Sequence, residues 1–146
     1  MLLALWLLWC VGYVSCKTIK FDSCGGNVTA VRVTPCEEEP CKAIKGKSIH
    51  IEADFISKQN SDWLQLWVGA EISGISLPLP GLNRDACKGR NITCPVSEGD
   101  KQTFVFDLDI LPFFPSLKTM TVFEITGEGD KLLCFKAPVQ IVTGQK

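Results

Sequence analysis

The chain has 146 residues, 46% of them hydrophobic, and 15 basic against 16 acidic residues give a formal net charge of -1. That length suffices for one domain with a core of its own. Lysines and arginines are scattered rather than clustered, which excludes the basic footprint of a nucleic-acid binder, and the acidic run Glu37-Glu38-Glu39 reads as a solvated loop.

In chain order, the first feature is an apolar run from Leu2 to Val14, followed by small Ser15 and polar Lys17. It reads as a signal peptide over residues 1–16, too short for a membrane span although it lacks a basic start. Residues 17–146 are then the mature domain. Of the eight cysteines, Cys10 and Cys16 fall in the leader, leaving Cys24, Cys36, Cys41, Cys87, Cys94 and Cys134. An even number behind a leader implies an oxidising compartment and a disulfide framework, with many pairings formally open. Local bridges Cys36–Cys41 and Cys87–Cys94 are the economical choice, which leaves Cys24 with Cys134. The long closure contributes most, about 4 to 5 kcal/mol in the chain-entropy model against about 2 for the short ones. Zinc fits poorly, because neither close pair has CxxC spacing and the single histidine, His50, lies apart from them.

Strands are expected at about 18–22 and 28–34, the second next to a sequon, Asn27-Val28-Thr29. A second sequon is Asn91-Ile92-Thr93, and both are N-glycosylation candidates in a secreted chain. From Ser48 to Phe55 every second residue is apolar, the signature of a strand with one face on a core and the other in water. His50 falls on the wet face, where no partner for base or ligand chemistry is evident in the sequence. From Trp63 to Ile72 the series Leu64, Leu66, Val68, Ala70 and Ile72 forms one face, and Trp63 and Trp67 the other. The tryptophans suit either shielding of a sheet or an outer contact with a membrane or partner. Further strands follow at 103–110, 117–126 and 132–142, separated by glycine turns. About seven short strands without helical periodicity predict an all-β, immunoglobulin-like sandwich of two antiparallel sheets.

Catalysis has little to work with. There is one histidine on a wet face, no GxSxG, no phosphate-cradling glycine loop and no metal-ligand cluster, and Asp107 and Asp109 point away from the expected core. The reading is therefore a binding protein, not an enzyme, with no cofactor and no metal. Two loops rich in proline and large apolar residues stand out: Leu77 to Leu82 and Leu111 to Leu117. Such loops either close a core or line the mouth of an apolar cavity.

The order of Phe21-Asp22-Ser23-Cys24-Gly25, Val33-Thr34-Pro35-Cys36 with Pro40-Cys41, Leu77-Pro78-Leu79-Pro80, Asp85-Ala86-Cys87 with Cys94-Pro95, Phe114-Pro115-Ser116, and Cys134 through Val142 resembles the ML lipid-recognition family. The likeness runs through nearly the whole mature chain. Within the family it is strongest to the small soluble Niemann-Pick type C cholesterol carriers and their arthropod relatives. The resemblance implies a lipid held between the two sheets, and disulfides Cys24–Cys134, Cys36–Cys41 and Cys87–Cys94. It places a lipid portal at Leu79, Phe113, Phe114 and Pro115. It places the pocket at Val33, Ile49, Ile51, Val68, Ala70, Ile72, Leu117, Thr119, Thr121, Phe123, Phe135 and Val139. Three departures stand out: a shorter loop at Phe113-Phe114, a leucine where an aromatic is expected at Leu79, and threonines at 119 and 121 in place of aliphatic residues. They imply a more polar pocket wall, and make a fatty acid, another sterol or an apolar semiochemical competitors of cholesterol.

The function these residues imply is a secreted or lysosomal carrier. It would enclose a sterol or similar apolar lipid and transfer it, as a monomer, between membranes or to a membrane-protein acceptor. Two alternatives are an innate-immune or chemosensory accessory presenting a fatty acid, microbial lipid or semiochemical to a receptor, and an adhesion module with a filled core.

Overall fold

The period-two alternation folds into strands almost wherever it occurs. The computed structural model describes residues 16–144, so the expected leader lies outside the described residues except for Cys16, which is disulfide-bonded. Among the described residues ten strands are formed: β1 (Lys17–Thr18), β2 (Asp22–Gly26), β3 (Val28–Thr34), β4 (Cys41–Ile44), β5 (Ser48–Ile56), β6 (Gln65–Ile72), β7 (Ile75–Pro78), β8 (Lys101–Asp109), β9 (Lys118–Thr126) and β10 (Lys131–Val142). No helix occurs among the described residues.

A four-stranded sheet has the order β1-β3-β5-β8, and a six-stranded sheet the order β2-β10-β9-β6-β7. The pairings are antiparallel except one. β4 runs parallel beside the second half of β10, from Cys41 opposite Val139 to Ile44 opposite Val142, while β2 occupies the same edge along the first half. The segment expected as a single strand at 18–22 divides instead, because β1 pairs with β3 in the small sheet and β2 with β10 in the large one. Buried Ile19 marks the crossing, its N–H donating to the Val31 carbonyl at 2.9 Å. β4 and β7 were not expected. β7 ends in Pro78, which an edge strand tolerates because it has no second neighbour to receive an N–H.

Inward residues of both sheets form one core, with Phe55, Phe104, Phe123 and Phe135 fully enclosed. The disulfides Cys24–Cys134, Cys36–Cys41 and Cys87–Cys94 are the pairs the spacing suggested. The first, 110 residues apart, ties β2 to β10 within the large sheet.

Candidate functional site

Side-chain size along the inner face of the large sheet decides where the sandwich is filled and where it is hollow. Strand register aligns its inner residues in rows. Leu66 lies opposite Ile125 and Ile125 opposite Leu133; one row on, Val68 faces Phe123 and Phe123 faces Phe135. The next row is Ala70, Thr121 and Ala137, and Thr119 opposite Val139 follows. Large side chains thus give way to small ones within a single step of the pleat. The Phe rows pack solid, with Phe123 and Phe135 stacked at 4.9 Å and Phe106 reaching across from β8 to Phe123 at 5.6 Å. The small rows do not reach the opposite sheet, and a cavity of about 390 Å³ is left between them.

The mouth follows from topology. The large sheet is wider than the small one, so β7 lies beyond β8 and the inward side chains of Ile75 and Leu77 are 60% and 47% exposed. At the far end of this open side, the segment 79–100 closes the gap. Leu66 and Ala86 N–H groups donate to the Arg84 and Leu64 carbonyls, and Val105 N–H donates to Arg90, joining β6 to β8. The near end is bordered by Pro78, Pro80 and Pro115. There the turn Leu111 to Phe114, fixed by a 3.0 Å bond from Phe114 N–H to the Leu111 carbonyl, sets two phenylalanines edge to face at 5.3 Å. Phe114 packs on the core, whereas Phe113 is 75% exposed.

Ten of the expected site residues line this cavity: Val68, Ala70, Ile72, Leu79, Phe113, Phe114, Pro115, Thr119, Thr121 and Val139. Val33, Ile49, Ile51, Phe123 and Phe135 instead lie in the filled core. Leu117 is half-buried before β9, its carbonyl accepting from Ile141 N–H, and is not among the lining residues. Gly69, Leu77, Pro78, Pro80, Leu108, Ile110 and Ile141 complete the wall. The signal for Leu108, Ile110 and Ile141 was present in the alternation of their strands. Among the described residues the wall carries no charged side chain. Its threonines are less polar than they read in sequence: the Thr119 hydroxyl donates to the Glu71 carbonyl at 2.9 Å, and that of Thr121 to Ala137 at 2.8 Å. Both protons are spent on the protein's own backbone.

The outer faces differ in character. Over the large sheet a shallow groove of about 460 Å³ contains the ion pairs Lys136–Glu71 at 2.6 Å and Lys131–Glu124 at 3.7 Å, with Trp67 folded over Gly69. This is a solvated face of cross-strand pairs. Trp63 is half exposed. Over the small sheet, His50 has one partner on its own strand, Glu52, and a second, Asp107, brought in by β8. Its Nδ1 lies 2.6 Å from Asp107 Oδ1 and its Nε2 3.2 Å from Glu52 Oε2. The Asp107 hydrogen bond, opposed by partial burial and aided by Glu52, raises the His50 pKa above its ordinary value. Beside it Arg32 grips Asp54 with two bonds of 2.7 and 2.9 Å, which holds the Asp54 carboxyl below its usual range. These charges lie on the solvent side of β3, β5 and β8, away from the cavity. No group of histidine, cysteine or carboxylate side chains suited to a metal occurs among the described residues.

Comparison with known proteins agrees with this architecture. The family model described as ML domain matches residues 18–141. The chain is 32% identical over 140 residues to the zebrafish (Danio rerio) NPC intracellular cholesterol transporter 2, an alignment that spans 93% of each protein. It is 30% identical over 125 residues to the mite group 2 allergen Tyr p 2 of Tyrophagus putrescentiae, covering 85% of this chain and 87% of the allergen. Among solved structures, a Niemann-Pick type C2 protein from the Japanese carpenter ant superposes with a TM-score of 0.77 at 20% identity, covering 85% of this chain and all of that one.

Proposed function

Since the chain belongs to the ML domain family, we propose that it is a lipid carrier which takes up a sterol or another apolar lipid between its two sheets and hands it on. The observation that carries this reading is the uncharged cavity of about 390 Å³ opening between Leu79 and the Phe113-Phe114 turn. A volume in the range of roughly 300–1,000 Å³ with few polar groups is typical of small-molecule sites. The kinship with a protein named as a cholesterol transporter favours a sterol. No chemistry is required: an apolar ligand leaving water gains about 0.8 kcal/mol for each CH₂ buried.

Transfer needs a route that keeps the ligand out of water. The rim of Ile75, Leu77 and Phe113 is the most exposed apolar surface near the mouth, and it fits insertion into a bilayer surface or the apolar patch of an acceptor protein. The two sequons support the same orientation. The Asn27 carbonyl accepts from Ile56 N–H and the Asn91 side-chain amide donates to the Thr103 carbonyl, both near the β5 end and β8 start that lie opposite the mouth. Glycans at Asn27 and Asn91 would leave the portal free. A secreted or lysosomal monomer is the setting in which such a carrier works.

The test is native mass spectrometry of the purified protein after incubation with vesicles containing cholesterol, phospholipid and free fatty acid. One retained lipid per chain is expected. Retention of no lipid of any class would sink the carrier reading, and a marked preference for a microbial glycolipid over sterol would favour a receptor-presenting role instead.

A further inference from the structure

Behind the cavity, from the row of Val68 and Phe123 onward, the sandwich is packed as firmly as the mouth is open. Phe123 and Phe135 are fully buried and stacked at 4.9 Å with an interplanar angle of 15°. Phe106 meets Phe123 edge-on at 5.6 Å from the opposite sheet, and Phe104 backs both at 6.1 and 6.3 Å. β8 is an edge strand, so Phe106 has an open flank, and that flank is occupied. The Arg90 guanidinium, carried on the segment that closes the far end of the sandwich, sits over the Phe106 ring at 4.6 Å. A cation over the face of a ring is attracted by its quadrupole, which holds Phe106 between Arg90 and Phe123.

We propose that this clamped aromatic floor limits how far an apolar chain can enter, so that the site selects ligands by length, with Arg90 as a positioning residue that keeps Phe106 in place. This rests on the lipid-carrier reading. On the large sheet the hollow centres on the rows of Ala70 and Thr121 and of Thr119 and Val139, with Val68 at its inner end. At about 3.3 Å per residue, two rows and the rim give a depth of roughly 13 Å. A flexible single-chain amphiphile fills that depth with its tail and leaves the excess at the mouth, in contact with water.

Calorimetric titration of the full mature protein with octanoate, laurate, palmitate and stearate, each below its micelle concentration, tests the proposal. Within the hollow rows affinity should rise about fourfold for each added CH₂, and then break, with further carbons contributing little. Phe123→Leu should move the break to longer chains. Arg90→Ala, a change outside the core, should move it the same way, and Arg90→Lys should keep it in place because the cation remains. An affinity that climbs without a break through stearate, or a break that stays fixed in both Phe123→Leu and Arg90→Ala, overturns the ruler and leaves the carrier intact. Failure of all four acids, and of cholesterol measured alongside, would overturn the carrier and the ruler together.

Discussion

Phe113 and His50 show how differently two partly exposed residues can serve one molecule. Phe113 is 75% exposed, so it contributes little to the core, and its place at the mouth gives it no folding role that a smaller residue would lack. Phe113→Ala should therefore leave stability within about 0.5 kcal/mol. Lipid transfer between vesicles, followed by a fluorescent sterol, should slow several-fold; an unchanged rate would return Phe113 to a passive surface role. His50 acts on stability instead. Its protonated ring donates to Asp107 on β8 and to Glu52 on its own strand, and its folded pKa is raised above the ordinary value. A raised folded pKa means the contribution is complete below the unfolded value of about 6.5 and fades as pH climbs through the folded one. Urea unfolding across that window should show wild-type stability declining with rising pH, and His50→Gln should flatten the decline. A decline that survives the substitution would assign it to other groups.

At the level of strands, alternation made the faces legible. It placed Ile49, Ile51 and Val68 inward, the family resemblance added Phe123 and Val139, and each is buried. What a strand's own sequence does not contain is its register against a distant strand. Ala70 on β6 is far along the chain from Thr121 and Ala137 on the successive strands β9 and β10, and the hollow they create exists only once they are aligned in one row. For the same reason Val33, Ile49 and Phe135 read as pocket but lie in filled core, and the Asp107 partner of His50 stayed hidden until β5 paired with β8. The missing strands have a local cause as well: β4 has four residues between a disulfide loop and a turn, and β7 ends in proline. Gly26, at the end of β2, tests how strictly the large sheet edge is specified. It has φ +70, and a Cβ there would collide with the Leu132 carbonyl oxygen. Gly26→Ala combines left-handed strain with a backbone collision and should cost more than about 1 kcal/mol. A thermal melt unchanged from wild type would show that the β2–β10 edge can shift freely.

Across the whole molecule, the sandwich is asymmetric along its strands: one end is filled by phenylalanine and closed by the segment 79–100, and the other is hollow and open. A hollow end forfeits packing, since unfilled interior volume costs stability in proportion to its size. The Cys24–Cys134 bridge, closing 110 residues, offsets part of that by about 5 kcal/mol in the chain-entropy model. A ligand that fills the hollow should stabilise only the folded state, by about 2.7 kcal/mol at a hundredfold excess over its dissociation constant, and so raise the melting temperature. The most direct test is whether that stabilisation depends on the hollow itself. Ala70 is a half-buried lining residue, and Ala70→Trp should fill the cavity without touching the Phe113 rim. Melting temperature should be measured with and without saturating lipid for wild type and Ala70→Trp. The lipid should raise the wild-type value by several degrees and leave the variant unmoved; an equal rise in both would place the ligand somewhere other than between the sheets.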